Sequence, residues 1–375
     1  MTFKNFFSDK RILITGITGF KGSWLASWLD LLDGRVHGIG LPPNTKPSLF
    51  KVLNINSFVE YQQLNIRNQK LLSEYISKIQ PEIIFHLAAQ PLVLDSYKFP
   101  LKTIQTNILG TANLLYSINK YYETFKKPCT VIVITSDKCY ENIESHISYR
   151  EEDPLGGHDI YSMSKASKEL LVSSWQRSFF SKFKKNKIYI ATCRSGNVIG
   201  GGDWAKDRIV PDTIRSIINK KVVKLRHPES TRPWQHVLEP LSGYLQVAMY
   251  LHKNKFNKFN IKQNWNFGPN LHSENTVSNL YENILKIWGI NNINYNYYKT
   301  NNHESKLLKL SIDKAWNYLK WQPTWNYFET VKKTVDWYKL CNDSDNNSLT
   351  MQKFTKLQIQ EYTNDAKSKK IEWSF

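Results

Sequence analysis

The stretch Lys10-Arg-Ile-Leu-Ile-Thr15, followed at once by Gly16-Ile-Thr-Gly19-Phe-Lys-Gly22, decides the fold. Its first half is a short apolar run with strand character. Its second half has the spacing G-x-x-G-x-x-G. Residues 23–32 then carry Trp24, Leu25, Trp28, Leu29 and Leu32 at helical intervals. Strand, glycine turn and helix N-terminus in that order make a phosphate cradle. Glycine lets the backbone approach a pyrophosphate, and the free N–H groups of the first helical turn point at it. The spacing alone is a weak signal, but between a strand and a helix it is strong.

Outward from this cradle the chain alternates strand and helix. Further strands are predicted at 36–41, 58–64, 82–86, 130–135 and 187–194. Helices are predicted at 68–79, 101–125 and 161–184. Val/Ile-rich strands between helices argue a parallel sheet covered on both faces. The fold class is therefore α/β: a doubly wound, parallel-sheet Rossmann fold over residues 1–195, with a smaller C-terminal substrate-binding lobe. Gly200-Gly201-Gly202 opens the second region, 196–340. It mixes helices (210–219, 238–252, 277–287, 311–319, 327–340) with strands at 222–225 and 264–267, the latter returning toward the sheet. Residues 342–347 read as a linker. The tail, 341–375, has room for one more helix and no assigned role.

The chemistry concentrates between 135 and 165. Thr135-Ser136-Asp137-Lys138 follows a strand, where open α/β sheets bind their ligands. Tyr161-Ser-Met-Ser-Lys165 puts a phenol and an ammonium on one helix face. A phenol titrates near ~10 and is a poor base at neutral pH. A neighbouring ammonium favours the phenolate. Ser136 can hydrogen-bond the same substrate oxygen, and Asp137 with Lys138 adds a second acid/base pair. Redox chemistry and elimination in one pocket are the expected combination. On an exposed helix, Tyr-x-x-x-Lys is usually a surface pair worth a few tenths of a kcal/mol. The upstream glycine turn is what sets this one apart.

Composition narrows the class. The 375 residues include 12 Trp, 20 Tyr and 18 Phe, enough for a packed core. No apolar run approaches the ~20 residues of a membrane span, and no signal-peptide pattern opens the chain. Four cysteines, Cys129, Cys139, Cys193 and Cys341, lack metal-ligand spacing, so a cytoplasmic protein without disulfide or metal is expected. The net charge of +19 would suit nucleic-acid binding. The basic residues are dispersed, however, which fits compositional drift better and still steers an anionic substrate. No nucleic-acid or membrane partner is expected.

These residues resemble the extended short-chain dehydrogenase/reductase family, in order, to about residue 340. The resemblance rests on the glycine turn, His86-Leu-Ala-Ala-Gln90, Thr106-Asn107, Tyr161-x-x-x-Lys165 and Arg194-Ser-Gly-Asn197. Longer stretches resemble its nucleotide-sugar 4,6-dehydratases of the CDP-glucose type. Among them are Gly19-Phe-Lys-Gly-Ser-Trp24, Thr135-Ser-Asp-Lys-Cys-Tyr-Glu-Asn142, Gly200-Gly-Gly-Asp-Trp204, Thr231-Arg-Pro-Trp-Gln-His236 and His303-Glu-Ser-Lys-Leu-Leu308. Pro42-Pro43 stands where many relatives place a ribose-binding Asp, Asn65 where they usually have Asp, and Ile160 where a Pro usually precedes the tyrosine.

The resemblance implies NAD as cofactor and CDP-glucose or a similar nucleotide sugar as substrate, in deoxysugar biosynthesis for lipopolysaccharide O-antigen. It implies cofactor contacts from Gly16, Thr18, Gly19, Phe20, Lys21 and Gly22. Asn65, Ile66, Leu87, Ala88, Ala89, Asn107 and Thr135 add to these, with Tyr161 and Lys165 at the nicotinamide end. Gln90, Ser136, Asn197, Arg208 and Arg232 are the implied substrate contacts. Tyr161 would take the 4-hydroxyl proton, Asp137 would protonate the departing 6-hydroxyl and Lys138 would accept the C5 proton. A structural salt bridge to Glu141, or to the substrate phosphate, is the alternative for Lys138. A homodimer, or a higher homo-oligomer, is the implied assembly, with helices 101–125 and 161–184 forming a four-helix bundle. A 4-epimerase would keep Tyr161 and Lys165 without needing Asp137 and Lys138, and a non-catalytic NAD-binding protein would need neither pair.

Overall fold

The computed structural model describes residues 2–182, 188–253, 263–270, 274–291, 294–297, 307–343 and 347–375. Its sheet has seven strands: β1 (Arg11–Thr15), β2 (Arg35–Gly40), β3 (Glu60–Gln63), β4 (Ile83–His86), β5 (Cys129–Ile134), β6 (Ile188–Ser195) and β11 (Asn264–Phe267). Their spatial order is β3-β2-β1-β4-β5-β6-β11. Every neighbouring pair is parallel. The order reverses between β1 and β4. A crevice opens there at the strand C-terminal ends, the ligand position of doubly wound sheets.

Alternation along the strands splits the core in two. Ile12, Ile14, Phe85 and Ile132 face one side, with side chains of α1 (Phe3–Phe7), α2 (Phe20–Leu31), α10 (Leu238–His252), α12 (Tyr327–Asn342) and α13 (Ser348–Ser368). Leu13, Ile84, Val131 and Val133 face the other, with α4 (Gln69–Ile79), α7 (Gly110–Phe125) and α8 (Ile160–Ser178). With both faces covered, the strands need apolar side chains at consecutive positions. Each such burial contributes about 1.5–3 kcal/mol against the entropy of ordering.

Three elements depart from the sequence pattern. Residues 101–125 form one continuous helical run, as expected, but not a uniform one: α6 (Pro100–Ile104) passes through a π-helical turn (Gln105–Leu109) into α7, and a separate short helix, α5 (Val93–Lys98), precedes it. Pro100 separates α5 from α6, because it opens α6 and Phe99 before it is pushed to φ −133°, ψ 63°. α8 ends at Ser178 rather than near 184, where Phe179 leaves helical geometry at φ −120° and Phe180 turns into the core. Of 311–319, a π-helical turn at Ala315–Leu319 is the main regular part. The basic run 182–187 falls almost wholly outside the described residues, as does His303 of the His303–Leu308 stretch.

The second region is built from short elements. α3 (Leu49–Val52) lies earlier, in the loop after β2. Parallel pairs join β7 (Val198–Ile199) to β10 (Gln235–His236), and β8 (Val223–Leu225) to β13 (Tyr295–Tyr297). β9 (Thr231–Arg232) pairs antiparallel with β12 (Asn275–Thr276). α9 (Ile209–Ile218) and α11 (Val277–Trp288) pack beside them. β11 lies within 196–340 yet stands in the main sheet beside β6. No described helix is long and apolar enough to cross a membrane.

Candidate active site

The crevice is a cavity of about 750 Å³ between the sheet and the second region. That is within the range of small-molecule and cofactor sites. Gly16 shapes its floor at φ +76°, and a Cβ there would come 2.7 Å from the Ala88 nitrogen. A Cβ on Gly22 would come 2.4 Å from the Gly16 carbonyl oxygen. Only glycine fits either position. Gly19 is the N-cap of α2, and no side chain caps that end. The uncapped N–H groups and the glycine floor together fit a dinucleotide pyrophosphate.

All the sequence-predicted site residues line this cavity except Asn107. Asn107 is fully buried behind the wall. Its amide accepts from the Gln90 N–H at 2.8 Å and donates to Ser164 Oγ at 2.8 Å. It braces a wall residue against α8. The Gln90 side chain donates to the Leu92 carbonyl and to Thr103 Oγ1, both at 2.9 Å, and accepts from the Leu92 N–H, so its amide is engaged within the wall. Asn65 Oδ1 accepts from the Arg67 N–H at 3.0 Å, and both residues line the cavity.

The reacting end is built by two elements. After β5 the chain turns through Ser136 into a 3₁₀ turn, Asp137–Cys139. Ser136 Oγ donates to Asp137 Oδ1 at 2.7 Å, and accepts from the Lys138 N–H at 3.3 Å. α8 starts beside it, capped by Asp159, whose carboxylate accepts from the Ser162 N–H. Tyr161 and Lys165 thus face the turn, with Lys165 Nζ 5.5 Å from the centroid of the Tyr161 ring.

Burial pushes the Tyr161 phenol up to about 12; a hydrogen bond with Ser136 and the Arg208 guanidinium pull it down, while Asp137 and Asp159 push it up. Burial also brings Lys165 down to about 8, against the pull of Cys139, Glu169 and Asp137. Lys21 falls to about 7, through burial and then through its cationic neighbours Lys165 and Arg208. Its ammonium donates to Ser195 Oγ at 2.9 Å. The phenol is thus governed by burial, with Ser136 and Arg208 rather than Lys165 lowering it.

Arg208 stands at the N-cap of α9 and donates to Asp203 Oδ2 at 2.7 Å. Arg232 is nearly buried and donates to its neighbour's carbonyl at 2.8 Å. Asn197 holds a left-handed turn at φ 52° after β6. Lys138 is half-buried at the cavity and has no ion pair among the described residues. Glu141 turns instead to the Gly157 N–H at 3.3 Å and to His158. Gly196, within the Arg194–Asn197 stretch, had no role assigned from the sequence, yet a Cβ there would strike Asp137 Oδ2 at 2.0 Å. No chain-local pattern marks such a contact across the sheet.

The fold is that of an extended short-chain dehydrogenase/reductase. The sequence profile of the family described as GDP-mannose 4,6 dehydratase matches residues 13–334, and the chain belongs to that family. It is 44% identical over 340 residues to the CDP-glucose 4,6-dehydratase of Salmonella typhimurium, covering 90% of this chain and 92% of that one. Among solved structures, the UDP-glucose 4-epimerase of Thermotoga maritima with UDP-glucose superposes with a TM-score of 0.74 at 21% identity, over 88% of this chain and 98% of that chain. The dTDP-glucose 4,6-dehydratase DesIV of Streptomyces venezuelae, with NAD bound, gives 0.74 at 20% identity, over 88% and 97%.

Proposed function

We propose that this chain is an NAD-dependent CDP-glucose 4,6-dehydratase, a hydro-lyase converting CDP-D-glucose to CDP-4-keto-6-deoxy-D-glucose and water. The observation that carries this reading is the sharing of one short turn by Ser136, Asp137 and Lys138, directly against Tyr161 and Lys165. The 44% identity to a CDP-glucose 4,6-dehydratase supports the choice of substrate. When bound, NAD supplies the hydride acceptor for C4 and returns that hydride to C6, so there is no net redox.

Gly16, Gly19, Gly22 and the α2 N-terminus would hold the pyrophosphate, and Ala88 closes on the glycine floor. Tyr161 accepts the proton of the 4-hydroxyl, Ser136 orients that oxygen, and the Ser136 hydroxyl with the Arg208 guanidinium favours the phenolate. Arg208 and Arg232 present guanidinium forks suited to the diphosphate. Once C4 is a ketone, the C5 proton is acidic; Lys138 accepts it while Asp137 protonates the departing 6-hydroxyl, and the Lys138 ammonium returns a proton to C5 as C6 is reduced.

Exposed Leu101, Leu109 and Leu170, on α6, the following π-helical turn and α8, support a homodimer through that face. Free cysteines suit a reducing, cytoplasmic compartment, and the product would feed deoxysugar synthesis for surface polysaccharide. The test is incubation of purified protein with NAD and CDP-glucose. Mass spectrometry should show loss of one water, with alkali absorbance of the 4-keto product and no lasting NADH. Asp137→Asn should cut product formation by about 10²–10⁴-fold while CDP-glucose still binds. Altered sugar stereochemistry at unchanged mass would mean a 4-epimerase instead.

A further inference from the structure

The far end of the cavity holds a carboxylate whose position the dehydratase chemistry does not explain. Asp212 lies in the first turn of α9, four residues after Arg208, and both line the cavity. Four residues put it on the same face of α9, about 6 Å along the helix axis from the Arg208 backbone. Arg208 reaches the Tyr161 end electrostatically, so the direction from Arg208 to Asp212 leads away from the reacting sugar. Across from Asp212 stand Leu225 and Arg226 at the end of β8 and Val277 at the start of α11. Arg226 donates to the Asp207 carbonyl at 2.9 Å, fixing that wall.

A carboxylate in a cavity for an anionic diphosphate raises the cost of binding unless it meets a donor. Deeper in the cavity, Asp203 is engaged by Arg208 at 2.7 Å and Asp137 by Ser136 at 2.7 Å, whereas Asp207 is exposed at the rim. Asp212 Oδ1 accepts from Arg215, while Arg215 also donates to the carbonyls of Trp204 at 2.9 Å and Ala205 at 3.1 Å. Its second oxygen makes no such bond to Arg215, and the side chain is 37% exposed. Burial pushes the carboxyl up, opposed by Arg215 and Arg226, so the site tolerates its charge only partly.

A diphosphate held by Arg208 would leave its ribose and base to run along α9 in the direction of Asp212. A carboxylate accepts from the 4-amino group of cytosine, whereas uracil and thymine present a carbonyl oxygen at that position. We propose that Asp212 reads the base and selects cytidine diphosphate sugars over uridine and thymidine diphosphate sugars. This rests on the nucleotide-sugar reading above and adds a specificity-determining residue to it.

The experiment measures dissociation constants of CDP and UDP by calorimetry, and kcat/KM for CDP-glucose, UDP-glucose and dTDP-glucose, with the wild-type protein, Asp212→Asn and Asp212→Ala. Wild type should prefer CDP, and Asp212→Asn should reduce that preference about ten- to a hundredfold, because its amide can donate to the uracil oxygen. Asp212→Ala should lose CDP affinity without gaining UDP. Equal wild-type affinities for CDP and UDP, or a preference unchanged in both variants, would overturn the assignment. The binding ratio stands whether or not any sugar is turned over. Absent turnover with all three sugars would therefore count against the dehydratase reading, while the CDP:UDP ratio alone decides the role of Asp212.

Discussion

Lys165 is ionisable in a place that penalises its charge. Burial brings it from its ordinary 10.5 to about 8, against Cys139, Glu169 and Asp137, which favour the ammonium. A lysine whose native pKa is lowered makes the folded state bind fewer protons than the unfolded chain between about 8 and 10.5. Below that window both states carry the charge and the folded state bears the full penalty; above it the penalty vanishes. Lys165→Met should therefore raise the melting temperature at pH 7 by a few degrees, and the gain should shrink between about pH 8 and 10.5. Thermal unfolding of both proteins across that range checks this, and a lower melting temperature at pH 7 would sink it. Turnover should fall in the same variant, the usual opposition of stability and activity at a working site. The residue pair was legible in the sequence because four residues make one helical turn. Its electrostatics were not: Arg208 and Ser136 act on Tyr161 from 47 residues downstream and 25 upstream, and sequence distance hides both.

Behind the catalytic turn, α8, β5 and β6 are tied by one buried ion pair. Glu169, one helical turn after Lys165, receives Arg194 Nε at 3.0 Å and Nη2 at 2.9 Å. Thr192 donates to it at 2.6 Å, and Thr135, the residue before Ser136, donates as well. Burial pushes this carboxyl up, but Arg194 and the hydroxyls of Thr135 and Thr192 hold it below the usual range. Arg194 also donates to Tyr140 at 2.6 Å, and Tyr140 to Asn266 at 2.8 Å, which carries the brace across to β11. Removing one partner of such a pair leaves a buried charge, at a cost of about 3–5 kcal/mol. Arg194→Met should lose about that much stability in urea unfolding, and Glu169→Gln combined with it should recover much of the loss. Additive losses in the double variant would show that the two side chains act separately. The strands themselves were legible from their Val/Ile runs. The start of the helical run at Pro100 was legible too, but the π-helical turn at Gln105–Leu109 was not, because apolar spacing does not distinguish it from α-helix. The Glu169–Arg194 bond was not legible, since nothing local to either strand or helix specifies a partner 25 residues away.

At the scale of the molecule, the C-terminal tail locks the second region onto the sheet. α13 packs against α2 and α12, Gln352 donates to the Leu53 carbonyl at 2.6 Å, and Trp373 stacks on Phe3 at 5.0 Å. No periodicity could announce this, because the tail's apolar residues find their partners at the opposite end of the chain. Its link to the interior is Tyr362, whose hydroxyl donates to Glu239 at 2.7 Å. Glu239, fully buried on α10, also accepts from the N–H groups of Thr324 at 2.9 Å and Trp325 at 2.8 Å. Burial pushes this carboxyl up to about 7, against these three donors and Lys369. A raised carboxyl makes the folded state bind more protons than the unfolded chain between its ordinary 4.5 and about 7. The contribution of Glu239 is therefore full below that window and declines as pH rises through it. Tyr362→Phe withdraws a donor that stabilises the ionised form alone. Its cost should be small at pH 5.5, where Glu239 is protonated, and should grow to about 1–3 kcal/mol at pH 8.5. Urea unfolding at the two pH values measures the difference. A cost that is equal at both, or larger at the lower pH, would mean that the tail is held by its aromatic stacking and that the buried carboxylate plays no part in docking it.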